Sequence, residues 1–249
     1  MSINNRPFIQ ACLNGATARH QHPAVPYSPQ ELALDAKACI AAGGQAVHVH
    51  ARQADGTETL EPLYCDLTVQ ALRSSCPLVP IGMTTSLSAG PDPDKRLFDI
   101  GRWGQLPDFV SVNFSEPGLP TLIRLLRERQ IGIEAGIATL QDCRTFLEGD
   151  WRKHCFRVLV EVEEPEPDQA LVLASSISAL LRAEGVTLPQ VHHGSGAATW
   201  TVIRQAIVQG EGIRIGLEDT TVSPDGALCG GNADLVKTAL AMADMQLYP

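Results

Sequence analysis

The sequence predicts a (β/α)8 TIM barrel that occupies residues 1–249 as a single domain. Short runs of β-branched and apolar residues alternate with longer stretches of helical periodicity, and eight such pairs follow one another in strict order. The length of 249 residues is close to that of one such barrel. An open, doubly wound sheet is the alternative. However, the G-x-G-x-x-G motif that would mark its first strand–helix turn is absent, and the first strand instead leads into NGATARHQHP.

The elements are assigned in order from these patterns. Strands are predicted at residues 7–13, 45–51, 78–83, 108–113, 131–135, 155–161, 189–193 and 212–217. Helices are predicted at residues 29–42, 67–75, 92–103, 119–129, 140–149, 168–184, 199–209 and 232–247. Ser28-Pro29 and Asp66 indicate the starts of the first two helices, and Gly43-Gly44 indicates the end of the first. The acidic segment 161–168 is predicted to be an exposed loop.

Composition narrows the class of protein. A net charge of −9 disfavours nucleic acid or an anionic membrane as a partner, because either requires a basic face. The seven cysteines are scattered and odd in number, which is typical of free thiols in a reducing compartment. The first residues, MSINNRPF, lack the features of a signal peptide, and no apolar run approaches membrane-spanning length. We therefore expect a cytoplasmic protein.

Polar and ionisable residues are concentrated at the predicted strand ends, where barrel enzymes carry their active sites. The residues at these ends are Asn14, Thr17, His48, His50, Thr84, Thr85, Ser111, Asn113, Glu134, Glu161, His192, His193, Arg214, Glu218 and Asp219.

The sharpest local feature is AVHVHAR at the second strand. Strand side chains alternate between faces, so His48 and His50 point the same way, with Cβ atoms roughly 7 Å apart. Two imidazoles at this spacing can bind one zinc ion at about 2.0–2.1 Å each. The alternative is a metal-free pair of histidines on a half-buried strand. A catalytic zinc ion also needs a third protein ligand.

The segment IRIGLEDTT at the eighth strand offers that third ligand. Glu218 and Asp219 follow a strand whose end lies on the same rim as the end of the second strand. Adjacent buried carboxylates require a compensating positive charge, which a metal ion or Arg214 would supply. A surface acidic pair that caps the following loop is the alternative.

Four of the five further histidines lie in distinctive segments but have no assigned role. His20 and His22 form a second H-x-H, but they lie in a polar stretch, and we expect a rim loop or a solvent-exposed position. His192 and His193 are adjacent, so only one of them can face the barrel axis. The HHGSGAAT segment that contains them is either an anion-binding loop or an ordinary connection.

Several motifs taken together resemble the beta-keto acid cleavage enzyme family, which includes the 3-keto-5-aminohexanoate cleavage enzymes. These motifs are AxxNGA after the first strand, PYSPxE before the first helix, AVHVHAR, SVN at the fourth strand, RIGLED, and the late GGNADLV. The resemblance covers residues 8–243. It implies a zinc-dependent barrel in which His48, His50 and Glu218 bind Zn²⁺.

The resemblance also implies a reaction and further site residues. Asp219, assisted by Arg214, corresponds to the catalytic base, and Thr84, Ser111 and Asn113 correspond to contacts with the substrate carboxylate. We also place Glu134 among the substrate-binding residues. The family cleaves a small β-keto acid with acetyl-CoA as co-substrate, giving acetoacetate and an acyl-CoA. Family members form homo-oligomers, commonly tetramers.

Two departures from the family concern the substrate. Members that recognise an amine carry acidic residues where this chain has Thr17 and Gly136, so we expect a substrate without an amine. A metal-dependent barrel hydrolase is one alternative function. Such hydrolases usually carry H-x-H on the first strand, with further histidines near strands five and six, where this chain has Glu134 and Glu161. A non-catalytic, metal-binding barrel is the other alternative.

Overall fold

A closed parallel barrel of eight strands forms the centre of the molecule, and its strands follow one another around the barrel in chain order. The computed structural model describes residues 6–247. The strands are β1 Ile9–Cys12, β2 Ala46–Val49, β3 Ile81–Thr84, β4 Phe109–Asn113, β5 Gly132–Ile137, β6 Arg157–Val162, β7 Gln190–Gly194 and β8 Gly212–Ile215. Closure occurs at β1, where Ala11 is in register with Val47 of β2 and Ile215 of β8. The predicted barrel is confirmed, and the open sheet is excluded.

A helix follows every strand. The helices are α1 Pro29–Ala41, α2 Pro62–Ser75, α3 Pro93–Gly101, α4 Leu119–Glu128, α5 Leu140–Glu148, α6 Pro167–Ala183, α7 Thr199–Gln209 and α8 Asn232–Leu247, with short 3-10 helices at Asp150–Lys153 and Gly196–Ala198. The predicted start of α1 is confirmed: Ser28 and Glu31 form a reciprocal capping box. The prediction from Asp66 was wrong, because α2 begins at Pro62, one turn earlier. The Asp66 carboxylate instead accepts hydrogen bonds from the backbone N–H groups of Gly104 and Gln105.

The apolar core lies between the helices and the outer surface of the barrel, with residues such as Leu32, Val47 and Ile203 fully buried. Within the barrel itself, one layer of inward-facing side chains is polar. Arg157 of β6 donates hydrogen bonds to Gln10 of β1 and Glu134 of β5, and all three residues are buried. Because these side chains occupy the barrel interior at this level, an active site is expected above them, at the C-terminal ends of the strands.

All seven cysteines are buried, free thiols. Among the described residues, no helix combines the length and the apolar character needed to cross a membrane.

Candidate metal centre and active site

His48, His50 and Glu218 converge at the C-terminal mouth of the barrel. One ligand atom of each lies within 4.8 Å of the others, and the Nε2 atom of His50 is 3.4 Å from an oxygen of Glu218. Two buried atoms in this group, Nδ1 of His48 and Oε2 of Glu218, have no hydrogen-bond partner. Two imidazoles and a carboxylate are the ligand set of many catalytic zinc sites, with a fourth position left for substrate. The residues present therefore fit a divalent metal.

Asn14 and Gly15, in the loop after β1, hold this arrangement. The Asn14 side chain accepts a hydrogen bond from the backbone N–H of His50 and donates one to the His50 carbonyl, each at 2.9 Å. Gly15 has φ +48°, and a Cβ there would lie 2.2 Å from Cγ of Glu218. Only glycine allows the backbone to pass so close to this carboxylate side chain. The NGA motif thus positions two of the three ligands.

Glu58 also belongs to this centre, although it lies in none of the sequence motifs that indicate the site. It follows the Asp55-Gly56 turn, and the returning chain pairs Glu58 with Arg52 in an antiparallel bridge. Its carboxylate contacts Nδ1 of His50, and this fixes the orientation of the ring. Burial alone would lower the pKa of His50, but the carboxylates of Glu218 and Glu58 outweigh it and raise that pKa to about 9. Burial dominates at His48 and depresses its pKa.

Asp219 lies beside this centre and is held on one oxygen only. Its Oδ1 atom accepts hydrogen bonds from Nε and a terminal nitrogen of Arg214, at 3.2 and 3.0 Å. Nδ1 of His193 lies 3.1 Å from the same oxygen, without the geometry of a hydrogen bond. The other oxygen, Oδ2, is buried and has no partner. Arg214 also donates to Glu218 at 2.5 Å, so one guanidinium contacts both carboxylates. The free oxygen is suited to accept a proton.

A cavity of about 220 Å³ opens over these residues. Of the predicted substrate contacts, Thr84, Ser111 and Asn113 line it. Asn113 donates its amide to Glu116 at 3.2 Å, so that its carbonyl oxygen is left for the cavity. The remaining lining residues are Ala16, His48, His50, Ser86, Ser88, Glu161, Glu163, His193, Ser195, Arg214, Glu218 and Asp219.

The structure does not place Glu134 in this cavity, so we correct its assignment as a substrate contact. Glu134 is the third residue of β5, and the next inward-facing residue, Gly136, is the one beside the cavity. The strand runs two residues further than predicted, which puts Glu134 one layer lower, in the buried pair with Arg157. A larger cavity of about 880 Å³, which Phe156 and Arg157 help to line, contains none of the predicted site residues.

The four histidines without an assigned role lie in different surroundings. His193 faces the cavity, whereas His192 faces α6, where it lies 3.3 Å from the Ser178 hydroxyl. His20 is exposed, but His22 is buried, with Nε2 2.8 Å from the backbone oxygen of Cys229. Both residues lie in the loop between β1 and α1, which agrees with the expected rim loop, but His22 is not exposed because the loop after β8 packs against it.

Sequence comparison gives the family. A profile of the beta-keto acid cleavage enzymes matches residues 7–149 and 155–246. The chain belongs to this family. The resemblance that the sequence motifs indicate is thereby confirmed. A 3-keto-5-aminohexanoate cleavage enzyme from Fusobacterium nucleatum subsp. nucleatum is 28% identical over 258 residues, covering 95% of this chain and 90% of the relative. A second enzyme of that name, from Acetoanaerobium sticklandii, is 33% identical over 91 residues, covering 36% of this chain and 33% of the relative.

Structural similarity gives the fold. ObcA in ternary complex with a C4-CoA adduct and oxalate has a TM-score of 0.73 at 14% identity, covering 90% of this chain and 64% of that one. The binary complex of ObcA with oxaloacetate has a TM-score of 0.71 at 15% identity, covering 90% and 67%. This chain thus spans about two thirds of the ObcA chains it matches. The 3-dehydroquinate dehydratase from Aquifex aeolicus VF5 has a TM-score of 0.59 at 11% identity, covering 97% and 99%.

Proposed function

We propose that this protein cleaves a small β-keto acid in a retro-Claisen type reaction with acetyl-CoA, giving acetoacetate and a new acyl-CoA. In the balanced reaction, the bond between C2 and the ketone carbon of the keto acid breaks. The C2 fragment, which keeps the carboxylate, receives the acetyl group and becomes acetoacetate. The remaining acyl group is transferred to the sulfur of CoA. The observation that carries this proposal is the free, buried Oδ2 of Asp219 beside the three-residue metal centre.

Each part of the centre has a separate task. When bound, zinc held by His48, His50 and Glu218 would act as a Lewis acid on the substrate ketone. Asp219 removes a proton from the carbon between the ketone and the carboxylate, through its unpartnered oxygen. Arg214 holds the other oxygen of Asp219, which fixes the direction of the base.

Hydroxyl groups of neighbouring strands are suited to bind the substrate carboxylate. Thr84 of β3 and Ser111 of β4 are in register and both line the cavity, so their hydroxyls face the same space. An anion there would receive hydrogen bonds from two sides. Asn113 stays a proposed contact of the carboxylate, because its amide group gives only one of its two N–H donors to Glu116.

The relatives support the reaction class. Two of them are named as cleavage enzymes for a β-keto acid, and ObcA binds oxaloacetate and a CoA adduct. From the family we also expect a homo-oligomer, commonly a tetramer. The scattered free cysteines favour a location in the cytoplasm. Light scattering of the purified protein tests the assembly.

The test of the proposed function follows the acetyl carbons. Zinc-loaded protein is incubated with a series of 3-oxo acids and acetyl-CoA that is ¹³C-labelled in the acetyl group. We expect the label in acetoacetate and an unlabelled acyl-CoA of matching chain length, detected by mass spectrometry. Free acetate, or hydrolysis products formed without CoA, would contradict the proposal and favour a hydrolase.

Two variants separate the roles of the residues. His48→Ala should lose bound metal, as measured by elemental analysis, together with turnover. Asp219→Asn should keep the metal and lose turnover, because an amide cannot accept the proton. Metal retained in the first variant, or activity retained in the second, would contradict the corresponding assignment.

A further inference from the structure

Asn232 is a buried polar residue that the proposed reaction leaves without a task. It is the first residue of α8, belongs to the late GGNADLV motif, and is 1% exposed. Its amide oxygen accepts a hydrogen bond from the backbone N–H of Leu217 at 2.6 Å. Its amide nitrogen donates to the Leu13 carbonyl at 2.7 Å and to the Asp35 carboxylate at 2.6 Å. Three short hydrogen bonds hold this buried amide in one orientation.

Both backbone partners of Asn232 lie next to residues of the metal centre. Leu217 directly precedes the metal ligand Glu218, and Leu13 directly precedes the Asn14-Gly15 pair that positions two of the ligands. A single amide therefore joins the loop that carries one ligand to the loop that positions ligands.

The chain segments around Asn232 approach each other at backbone distance. A Cβ atom on Gly216 would lie 1.8 Å from the backbone oxygen of Cys12 and 2.9 Å from Oδ1 of Asn232, so no side chain fits at this position. In addition, the Thr17 hydroxyl donates a hydrogen bond to the Leu217 carbonyl at 2.8 Å. The peptide groups on both sides of Leu217 are therefore held, one by Asn232 and the other by Thr17.

Asp35 of α1 determines how the Asn232 amide is oriented. A carboxylate accepts hydrogen bonds but cannot donate them, so it requires the nitrogen of the amide on its own side. The amide oxygen is thereby directed at the N–H of Leu217. Because Leu217 is itself buried, this N–H would have no water to bond to if the amide oxygen were removed.

We propose that Asn232 is a positioning residue of the metal centre, which fixes the backbone before Glu218 and thereby the place of this ligand beside the two histidines, and that Asp35 orients its amide. The inference rests on the metal centre of the proposed function and does not depend on the reaction. It gives the start of α8 a role in metal binding, although no residue of that helix reaches the three ligands in their common group.

Zinc affinity tests the role of Asn232, measured by competition with a chromophoric chelator. Asn232→Leu keeps a side chain of similar size but removes all three hydrogen bonds. It should raise the dissociation constant of zinc about tenfold or more, as for other groups that orient a metal ligand. Thr139→Ala is the matched control, because it removes the side-chain cap of α5 and costs stability without a hydrogen bond to either loop. Unchanged affinity in Asn232→Leu, or equal loss in both variants, overturns the proposal.

Exchanging the two side chains tests the orientation of the amide while both positions stay polar. The assay is run at pH 8, because burial raises the pKa of Asp35 only to about 6. Asn232→Asp places two carboxylates against each other and removes the donor to Leu13, so zinc affinity should fall. The double variant Asn232→Asp/Asp35→Asn restores a donor and an acceptor, and should recover most of the lost affinity. A double variant no better than Asn232→Asp overturns the role of Asp35.

Hydrogen exchange of the metal-free protein makes the test independent of zinc. Mass spectrometry of peptides that cover residues 212–219 follows the amide of Leu217, which should exchange faster in Asn232→Leu than in wild type or Thr139→Ala. This result supports the positioning role even if wild type binds zinc no better than His48→Ala, in which case only the metal centre of the proposed function fails. Unchanged exchange in Asn232→Leu overturns the inference, whatever the metal content.

Discussion

The contact between Glu58 and His50 predicts how tightly the centre binds metal. Both side chains are close to 90% buried, at 10% and 12% exposure, so the carboxylate orients the ring in a largely water-free environment. Glu58→Ala removes this partner and leaves Nδ1 of His50 without its acceptor. Loss of one partner of a buried, charge-assisted hydrogen bond costs about 1.5–3 kcal/mol. Loss of the carboxylate that binds the other nitrogen of a metal-binding histidine weakens metal affinity about 10- to 100-fold. This change in affinity corresponds to a free energy in the same range.

Competition with a chromophoric zinc chelator measures this affinity directly. We expect the dissociation constant of zinc to rise about 10- to 100-fold in Glu58→Ala, and less in Glu58→Gln, whose amide oxygen can still accept from His50. Glu163→Gln is the matched control, because it removes a carboxylate from the same cavity without contacting a ligand. Wild-type zinc affinity in Glu58→Ala would refute the assigned orientation of His50.

Two further predictions concern Gly15, in the loop after β1, and Asp35, in helix α1. Gly15→Ala should strongly weaken zinc binding in the same chelator assay, because its Cβ would overlap the Glu218 side chain at a backbone φ of +48°; an unchanged affinity would contradict the close packing. Burial raises the pKa of Asp35 to about 6 despite its hydrogen bond from Asn232, so the stabilisation that the protonated form provides is lost as pH rises from about 4 through 6. Asp35→Asn should therefore increase the free energy of unfolding in urea by about 1–2 kcal/mol near pH 8 and by much less near pH 4, and a gain independent of pH would contradict this cause.

The barrel and the principal ligands could be predicted because both follow from local periodicity. Alternation along β2 places His48 and His50 on one face, and the common rim of a closed barrel brings Glu218 toward them. Glu134 shows where this reasoning fails. The predicted end of β5 is two residues too early, which assigns Glu134 to the cavity. In the structure the side chain lies one layer lower, in the buried barrel interior.

Contacts between loops that are distant in the sequence are a second feature that the sequence could not predict. Glu58 reaches His50 only because the chain reverses at Asp55-Gly56, and that turn was the one available signal. His22 gives no such signal: its burial depends on the loop after β8, more than two hundred residues away.

The pairing of a metal ligand with a base at Glu218-Asp219 depends on a turn. On a continued strand, adjacent residues would face opposite sides, and only one of them could reach Arg214. However, β8 ends at Ile215, and the backbone N–H of Asp219 donates to the Gly216 carbonyl at 2.9 Å. This turn brings both carboxylates onto one guanidinium, which leaves one free oxygen on each. Arg214 therefore sets the spacing between the metal ligand Glu218 and the base Asp219. Because Arg214 contacts only one oxygen of each carboxylate, the other oxygen of Glu218 remains for the metal and that of Asp219 for the proton.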